Sequence, residues 1–212
     1  MKNFWPIFAL LCIITGVVFL IIITRLFQGD TIIYTDPENI ESPIISKKDP
    51  VIGSAQPTIV IVEYSDFACT SCSQTSEALS AMLDQYPEDI ALVWKDFPNS
   101  SLHNEAIPAA IAARCAQKQN AFWPYHDLLM ANQRQLGTDL YKEIATELDL
   151  SMWRFNSCLR REKTNSLVST SYQEGLALEV TASPTLYING ERFAGLMRES
   201  DLRRILSNLE IK

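Results

Sequence analysis

Histidine, glycine and basic charge are scarce in this sequence. Only 2 of its 212 residues are histidine and 7 are glycine, so neither a histidine-rich metal site nor a collagen-like repeat is indicated. His103 and His126 lie far apart in the chain and are expected to be structural. Beyond residue 29 the chain carries 16 basic and 25 acidic side chains, which argues against binding to the phosphate backbone of nucleic acids. The 5 cysteines are too few for a disulfide-dense scaffold, and the length suits one hydrophobic core.

An uncharged run opens the chain. Residues 4–24 contain no charged side chain, and a helix of this length spans the roughly 30 Å hydrocarbon layer of a membrane. A cleaved signal peptide would have a shorter apolar core and a small-residue cleavage site. We therefore expect residues 1–27 to be a single transmembrane anchor, with a cleaved signal peptide and a buried core helix as alternatives. Lys2 flanks one end of the run and Arg25 the other, so the positive charges favour neither orientation strongly. We expect a cytoplasmic N-terminus because the chemistry of the remaining chain suits the outside of the membrane.

The next segments predict an α/β domain. Residues 28–57 hold four prolines and no helical period, which indicates an extended tether. Residues 58–64 form a short apolar run typical of a buried strand, a helical stripe follows, and residues 90–94 predict a second strand. Strand, helix and strand in this order predict two parallel strands.

The second half of the domain begins with helical periodicity. It extends over about residues 101–177, and an Asn-Gly turn at 189–190 then joins two short strands before a closing helix. We expect one α/β domain over residues 58–212, ordered βαβ, helical block, ββα.

Two cysteines stand where a strand meets a helix. Cys69 falls in the loop after the first strand, at the N-terminus of the following helix, where free N–H groups favour a thiolate. Cys72 is seven residues before Leu79 and shares its buried stripe. One accessible and one shielded sulfur are what thiol–disulfide exchange requires. A single C-x-x-C motif also occurs by chance and in zinc sites, so its position carries the argument.

Two further residues of the sequence each allow a structural and a functional interpretation. Glu63 is the one acid in an apolar strand. It is either a strand-end carboxylate facing water or a buried group with a raised pKa that exchanges a proton with Cys72. Pro184 directly precedes a predicted strand, either as simple punctuation or as a cis proline.

Three ordered motifs carry a family resemblance. EYSDFACTSC, KDFPNSSLHNEAIPAAIAARCAQKQNAFWPYHDLL and EVTASPTLYINGERFAG resemble the DsbA-like branch of the thioredoxin-fold oxidoreductases, in its membrane-tethered bacterial form. The resemblance extends from about residue 49 to the end. It implies a thioredoxin fold (βαβ…ββα) interrupted by an all-helical insertion at about residues 101–177.

The resemblance also assigns roles to residues. It implies Cys69 as the attacking cysteine, Cys72 as the resolving cysteine, Glu63 as the buried acid and Pro184 as a cis proline beside the sulfurs. Ser183 would offer its backbone to an extended substrate peptide.

The dipeptide between the cysteines departs from the pattern of DsbA. Thr70 and Ser71 replace a proline and a histidine, so stabilisation of the Cys69 thiolate must rest on helix N–H groups and a hydroxyl. A milder oxidant is expected, with Thr70 and Ser71 contacting the substrate.

Two more cysteines fall on predicted helices of the block. Cys115 and Cys158 are either two unrelated buried thiols or a structural disulfide. The resemblance to tethered relatives favours the disulfide.

The expected function is that of an extracytoplasmic thiol:disulfide oxidoreductase in the cell membrane. It would oxidise cysteine-containing protein substrates without a bound cofactor, as a monomer. A quinone-linked membrane partner of the DsbB or vitamin K epoxide reductase type would reoxidise it. A reductase or isomerase of the same fold, a metal-binding or metallochaperone module, and a tethered interaction domain with a purely structural cysteine pair are the alternatives.

Overall fold

The computed structural model describes residues 41–160 and 162–209. Within these ranges no helix is long and apolar enough to cross a membrane. The anchor predicted for residues 1–27, and the part of the tether that precedes residue 41, lie outside the described residues.

The described chain is built on one mixed five-stranded sheet. Its strands, in sheet order β1-β3-β2-β4-β5, are β1 (Val51–Gly53), β3 (Ile90–Asp96), β2 (Ile59–Ser65), β4 (Thr185–Ile188) and β5 (Glu191–Ala194). The pair β2 and β3 is parallel, as the strand–helix–strand pattern predicts, and the three other pairs are antiparallel.

The sheet includes residues that precede residue 58. Strand β1 pairs with β3, so the range predicted as an extended tether contains a strand of the sheet. The segment before β1 is also attached to the body. Lys95 Nζ lies 3.0 Å from Asp49 Oδ2 and 2.9 Å from Glu174 Oε2, and it donates to the Ile44 carbonyl at 2.7 Å. Sequence periodicity missed this attachment because single ion pairs between distant segments leave no local pattern.

Seven α-helices and one short 3₁₀ helix lie within the described ranges. One helix, α1 (Thr70–Gln85), connects β2 to β3, and five lie between β3 and β4, which is where the sequence predicts a helical block. They are α2 (Ala106–Gln117), α3 (Phe122–Ala131), α4 (Thr138–Glu147), α5 (Met152–Leu159) and α6 (Glu162–Ala177), with the 3₁₀ turn Gln133–Gln135 after α3; α7 (Glu199–Leu206) closes the described chain.

The central strand β2 is buried on both faces. Ile61 belongs to a cluster with Leu79 of α1 and Leu202 of α7. The next residue, Val62, points to the opposite face and joins a cluster with Leu178, just after α6. A strand covered on both sides is apolar at most positions, which explains the hydrophobic run from Ile59 to Val62.

The helical layer is joined to the sheet by a buried ion pair. Arg114 of α2 and Asp96 of β3 are almost fully buried, and Arg114 Nε lies 2.6 Å from Asp96 Oδ2. Asp96 also accepts a hydrogen bond of 2.8 Å from the indole N–H of Trp94. Since an unpaired buried charge is costly, this contact sets the position of α2 against the end of β3.

Candidate active site

The structure places Cys69 and Cys72 at the carboxyl end of β2, where helix α1 begins. Cys69 is the N-cap residue of α1 and is partly exposed, whereas Cys72 in the first turn is fully buried. The two residues form a disulfide with their Cα atoms 5.2 Å apart. Only one of the two sulfurs is therefore open to attack from outside.

Hydrogen-bond donors surround the sulfur of Cys69. The backbone N–H of Cys72 donates to Cys69 Sγ at 3.2 Å, and Ser71 Oγ lies 3.1 Å from the same sulfur. The first turn of α1 contains no acidic side chain. A negative charge on this sulfur would thus meet donors and the positive end of a helix dipole.

The loop before β4 forms the other wall of the site. The carbonyl oxygen of Ser183 lies 3.5 Å from Cys69 Sγ, and the Ser183–Pro184 peptide bond is cis. Antiparallel pairing of β4 with β2, in which Thr185 faces Tyr64, carries this loop to the end of β2 where the cysteines lie. Residues more than 110 positions apart in the sequence thereby form one site.

Glu63 lies inside the protein, in strand β2, which ends just before Cys69. Its side chain is fully buried, between Trp94 of β3 and Leu186 of β4 in the sheet register. It shares the face of β2 that carries Ile61, which is the face covered by α1. Cys72 packs in the same cluster as Trp94. The alternative of a carboxylate facing water is therefore excluded.

Burial dominates the titration of Glu63. Desolvation raises the pKa of this carboxyl from 4.5 to about 7, with the Ser65 hydroxyl opposing the rise. Among the described residues, neither carboxyl oxygen has a hydrogen-bond partner. A buried carboxyl that gains or loses its proton near neutral pH, on the sheet face covered by the helix that carries Cys72, is suited to proton transfer.

The two residues between the cysteines differ in their surroundings. Thr70 is exposed at the first position of α1, while Ser71 is half-buried with its hydroxyl against the sulfur of Cys69. Thr70 is thus accessible from outside, and contact of Thr70 and Ser71 with a substrate stays a prediction. Ser71 contacts the reactive sulfur itself.

Two residues that the sequence did not single out hold the active-site loop. Asp66 Oδ1 accepts a hydrogen bond of 2.8 Å from the Ala68 N–H, and Oδ2 accepts one of 2.9 Å from the Asn99 N–H. Burial raises the pKa of Asp66, and these two hydrogen bonds oppose the rise. Gln133, from the 3₁₀ turn after α3, donates to two carbonyls of the loop. An acid directly after a strand could have drawn attention to Asp66, but nothing near Gln133 in the sequence marks it.

The histidines lie outside any metal cluster of the described residues. His126 is buried, with its ring 4.8 Å from that of Trp94 and 5.5 Å from that of Phe67, and its Nδ1 lies 2.8 Å from Asp127 Oδ1. Within residues 41–160 and 162–209, no three histidine, cysteine or acidic side chains come together in a way that could hold a metal ion.

Cys115 and Cys158 form a second disulfide, which joins α2 to α5. Their Cα atoms are 5.7 Å apart, and both residues are buried. This disulfide lies in the core of the helical layer.

Solved structures with this architecture come from several bacteria. The chain superposes on a thioredoxin-like oxidoreductase from Silicibacter pomeroyi with a TM-score of 0.70, at 20% identity over 77% of this chain and 92% of that one. For Wolbachia pipientis alpha-DsbA1 the TM-score is 0.70, at 17% identity over 78% and 92%. A periplasmic thioredoxin-like protein from Salmonella enterica gives 0.67, at 22% identity over 83% and 92%. The fold is therefore thioredoxin-like, with DsbA-like structural neighbours.

Curated relatives at the sequence level carry a different name. A Na(+)/H(+) antiporter NhaA 3 from Salinispora tropica is 33% identical over 153 residues, which are 72% of this chain and 23% of that protein. A Na(+)/H(+) antiporter NhaA 1 from Mycolicibacterium gilvum is 30% identical over 77% of this chain and 27% of that protein. The chain spans about a quarter of the length of these relatives, so their names describe proteins much longer than the matched region.

A match to a family model shows the family itself. Residues 46–208 match the family described as Thioredoxin. That range covers most of the chain and includes β1, both cysteine pairs and the loop before β4. The chain belongs to the thioredoxin family.

Proposed function

We propose that this protein is a thiol:disulfide oxidoreductase that exchanges disulfides with cysteine-containing protein substrates through Cys69 and Cys72. One observation carries the proposal. A partly exposed sulfur lies at a helix N-terminus among hydrogen-bond donors, with a buried partner sulfur one turn further on. The thioredoxin-like fold and its DsbA-like neighbours support exchange activity in general.

The first step is attack by a substrate thiolate on Cys69 Sγ. A disulfide forms between the substrate and Cys69, the Cys69–Cys72 bond breaks, and Cys72 leaves as a thiolate. Cys72 is fully buried, so its charge is costly there. Glu63 carries a proton up to a pH of about 7 and can give it to the Cys72 thiolate.

The second step releases the oxidised substrate. A second substrate thiolate attacks the substrate sulfur of the mixed disulfide, and Cys69 departs as a thiolate. The Cys72 N–H and the Ser71 hydroxyl stabilise that thiolate. The substrate leaves with a disulfide, and the enzyme keeps two electrons on Cys69 and Cys72.

The substrate segment binds in an extended conformation. The Ser183 backbone borders the sulfur of Cys69 and offers a short edge for peptide hydrogen bonds. Thr70 is exposed beside it. Backbone pairing would accept many sequences, which suits a general catalyst of disulfide exchange.

Net oxidation of substrates is the proposed direction, outside the cytoplasm, by a monomer anchored through residues 1–27. A membrane protein of the DsbB or vitamin K epoxide reductase type, which passes electrons to a quinone, would reoxidise Cys69 and Cys72. The uncharged run at residues 4–24 and the second disulfide support this location, since disulfides persist in oxidising compartments. The antiporter names add no transport function to this proposal, because the matched region is about a quarter of those proteins.

A glutathione redox titration of the full chain in detergent tests the activity and its direction. Alkylation and peptide mass mapping follow each cysteine separately. A Cys69–Cys72 potential of roughly −120 to −180 mV would fit an oxidase, and one of about −270 mV a reductase. A pair that does not exchange with glutathione at all would refute both.

Trapping experiments test the order of attack. In Cys72→Ala, the Cys69 thiolate attacks a disulfide of an oxidised substrate protein, and the other substrate sulfur leaves as a thiolate. The resulting mixed disulfide cannot be resolved internally, so substrates should accumulate as covalent complexes on non-reducing gels. Cys69→Ala removes the attacked sulfur and should trap none. Equal trapping by both variants would contradict the assignment of Cys69 as the exposed partner.

A further inference from the structure

The side chain of Gln133 reaches the active-site loop from the helical layer. Its Nε2 donates to the carbonyl oxygen of Phe67 at 2.8 Å and to that of Cys69 at 2.9 Å. Gln133 lies 64 residues after Cys69 in the sequence, in the 3₁₀ turn that follows α3. The same nitrogen lies 3.7 Å from Met130 Sδ in α3. The half-buried amide therefore links the reactive loop to the helical layer.

These bonds complete a two-sided restraint. On one side, the Asp66 carboxylate accepts from the backbone N–H groups of Ala68 and Asn99. On the other side, Gln133 donates to the carbonyls of Phe67 and Cys69. In the short segment before α1, Asp66 thus holds an N–H group and Gln133 holds two carbonyls. The two side chains come from different parts of the fold.

The orientation of these peptide groups decides what the sulfur meets. The carbonyl of Cys69 accepts from the N–H of Cys72 at 3.1 Å and from the N–H of Ser73 at 3.2 Å, in addition to Gln133. With this carbonyl held, the Cys72 N–H stays within 3.2 Å of Cys69 Sγ. A rotated peptide group would bring a carbonyl dipole towards the sulfur and disfavour a thiolate.

We infer that Gln133 is a positioning residue for Cys69. It holds the carbonyls of Phe67 and Cys69 towards the helical layer, so that the active-site loop turns an N–H group, and not one of its own carbonyl oxygens, to the reactive sulfur. The inference rests on the proposed function, since it concerns the thiolate formed when the disulfide is reduced. It also assigns a task to the helices between β3 and β4, which supply a group that a thioredoxin core without them would lack.

The test compares Gln133→Ala with Gln135→Ala in the full chain. Gln135 belongs to the same 3₁₀ turn and is exposed, and within the described residues its side chain donates no hydrogen bond to the loop. The thiolate of Cys69 is titrated by its absorbance near 240 nm after selective reduction, and its alkylation rate is measured with iodoacetamide. Both variants keep Glu63, Asp66 and Cys72, the other ionisable side chains in or beside the loop.

Gln133→Ala is expected to raise the pKa of Cys69 by about half to one pH unit. At a pH well below that pKa, alkylation of Cys69 should then slow about three- to tenfold. Gln133→Glu keeps the shape but cannot donate as a carboxylate, so its pKa rise should be at least as large. Gln133→Lys keeps a donor and should restore a low pKa.

Different failures separate the inference from the proposed function. If Gln133→Ala lowers the melting temperature but leaves the pKa and alkylation rate equal to those of Gln135→Ala, the residue is merely structural and the inference is wrong. If Gln133→Ala does not fold, the same comparison is made with Gln133→Glu and Gln133→Lys, and equal pKa values in these two would overturn it. If the unaltered protein fails to exchange disulfides with glutathione, the proposed function fails instead.

Discussion

The hydroxyl of Ser71 is the contact whose removal tests the electrostatics of the active site most directly. Ser71 Oγ lies 3.1 Å from Cys69 Sγ, a distance at which it can donate to a thiolate. A hydrogen bond to a charged group contributes about 1.5–3 kcal/mol, and partial exposure of Cys69 places this one near the lower limit. Ser71→Ala should therefore raise the pKa of Cys69 by about one pH unit, since one unit corresponds to about 1.4 kcal/mol.

The same change should alter the redox equilibrium in a defined direction. Loss of the donor destabilises the thiolate, which exists only in the reduced protein, and leaves the disulfide form nearly unaffected. The reduced form becomes less favourable by about 1.4 kcal/mol, which for two electrons lowers the reduction potential by about 30 mV. Ser71→Ala should thus be a weaker oxidant than the unaltered protein.

Two measurements check this prediction. Absorbance near 240 nm during a pH titration gives the pKa of Cys69, and a glutathione titration gives the potential. Ser80→Ala is the matched control, because Ser80 is exposed on the same helix, away from the sulfur. If Ser71→Ala and Ser80→Ala show the same pKa and potential, the hydroxyl does not stabilise the thiolate and the reasoning from the 3.1 Å contact is wrong.

Four further predictions concern buried groups. Glu63 has a folded pKa of about 7 against 4.5 for the free group, so the folded state holds a proton that the unfolded state has lost. Stability relative to Glu63→Gln should then fall by about 3 kcal/mol as the pH rises from 4.5 to about 8. If urea unfolding gives the same free-energy difference between the unaltered protein and Glu63→Gln at both pH values, this prediction is contradicted. Glu63→Gln should also slow reduction of the Cys69–Cys72 disulfide about 100-fold at neutral pH in stopped-flow assays, and an unchanged rate would exclude Glu63 as the proton donor. The double variant Cys115→Ala/Cys158→Ala should lower the free energy of unfolding by about 3–4 kcal/mol, because the bond closes a loop of 43 residues; equal denaturation midpoints would rule this out. Arg114→Leu should destabilise the fold by about 3–5 kcal/mol in the same assay, since it leaves the Asp96 carboxylate buried without its partner, and a loss below 1 kcal/mol would show that the pair is dispensable.

Local patterns predicted most of the secondary structure around the site. The apolar run of β2, the stripe of α1 and the Asn-Gly turn between β4 and β5 each follow from interactions within a few residues. Parallel pairing of β2 with β3 also follows from the strand–helix–strand order. These features are recoverable because burial imposes a period on a short segment.

The pairing at the start of the domain was not recoverable in this way. Strand β1 has three residues, all exposed, so no hydrophobic period marks it. Its position against β3 is accompanied by contacts from the preceding segment to Lys95. Those contacts join groups about 50 positions apart, and nothing in either segment indicates the partner.

From the sequence, Cys69 and Cys72 could be placed where a buried strand meets a helix. Cys72 lies on the apolar stripe of that helix, and Cys69 lies at its exposed N-terminal end. That arrangement depends only on helical spacing and on the charge preference of a helix N-terminus. The distant groups beside the sulfur depend on the tertiary structure. The Ser183 carbonyl and the Gln133 amide reach Cys69 from more than 60 residues away, through strand pairing and helix packing. The burial that raises the pKa of Glu63 likewise exists only once α1 covers the sheet, because desolvation is a property of the folded chain and not of any segment.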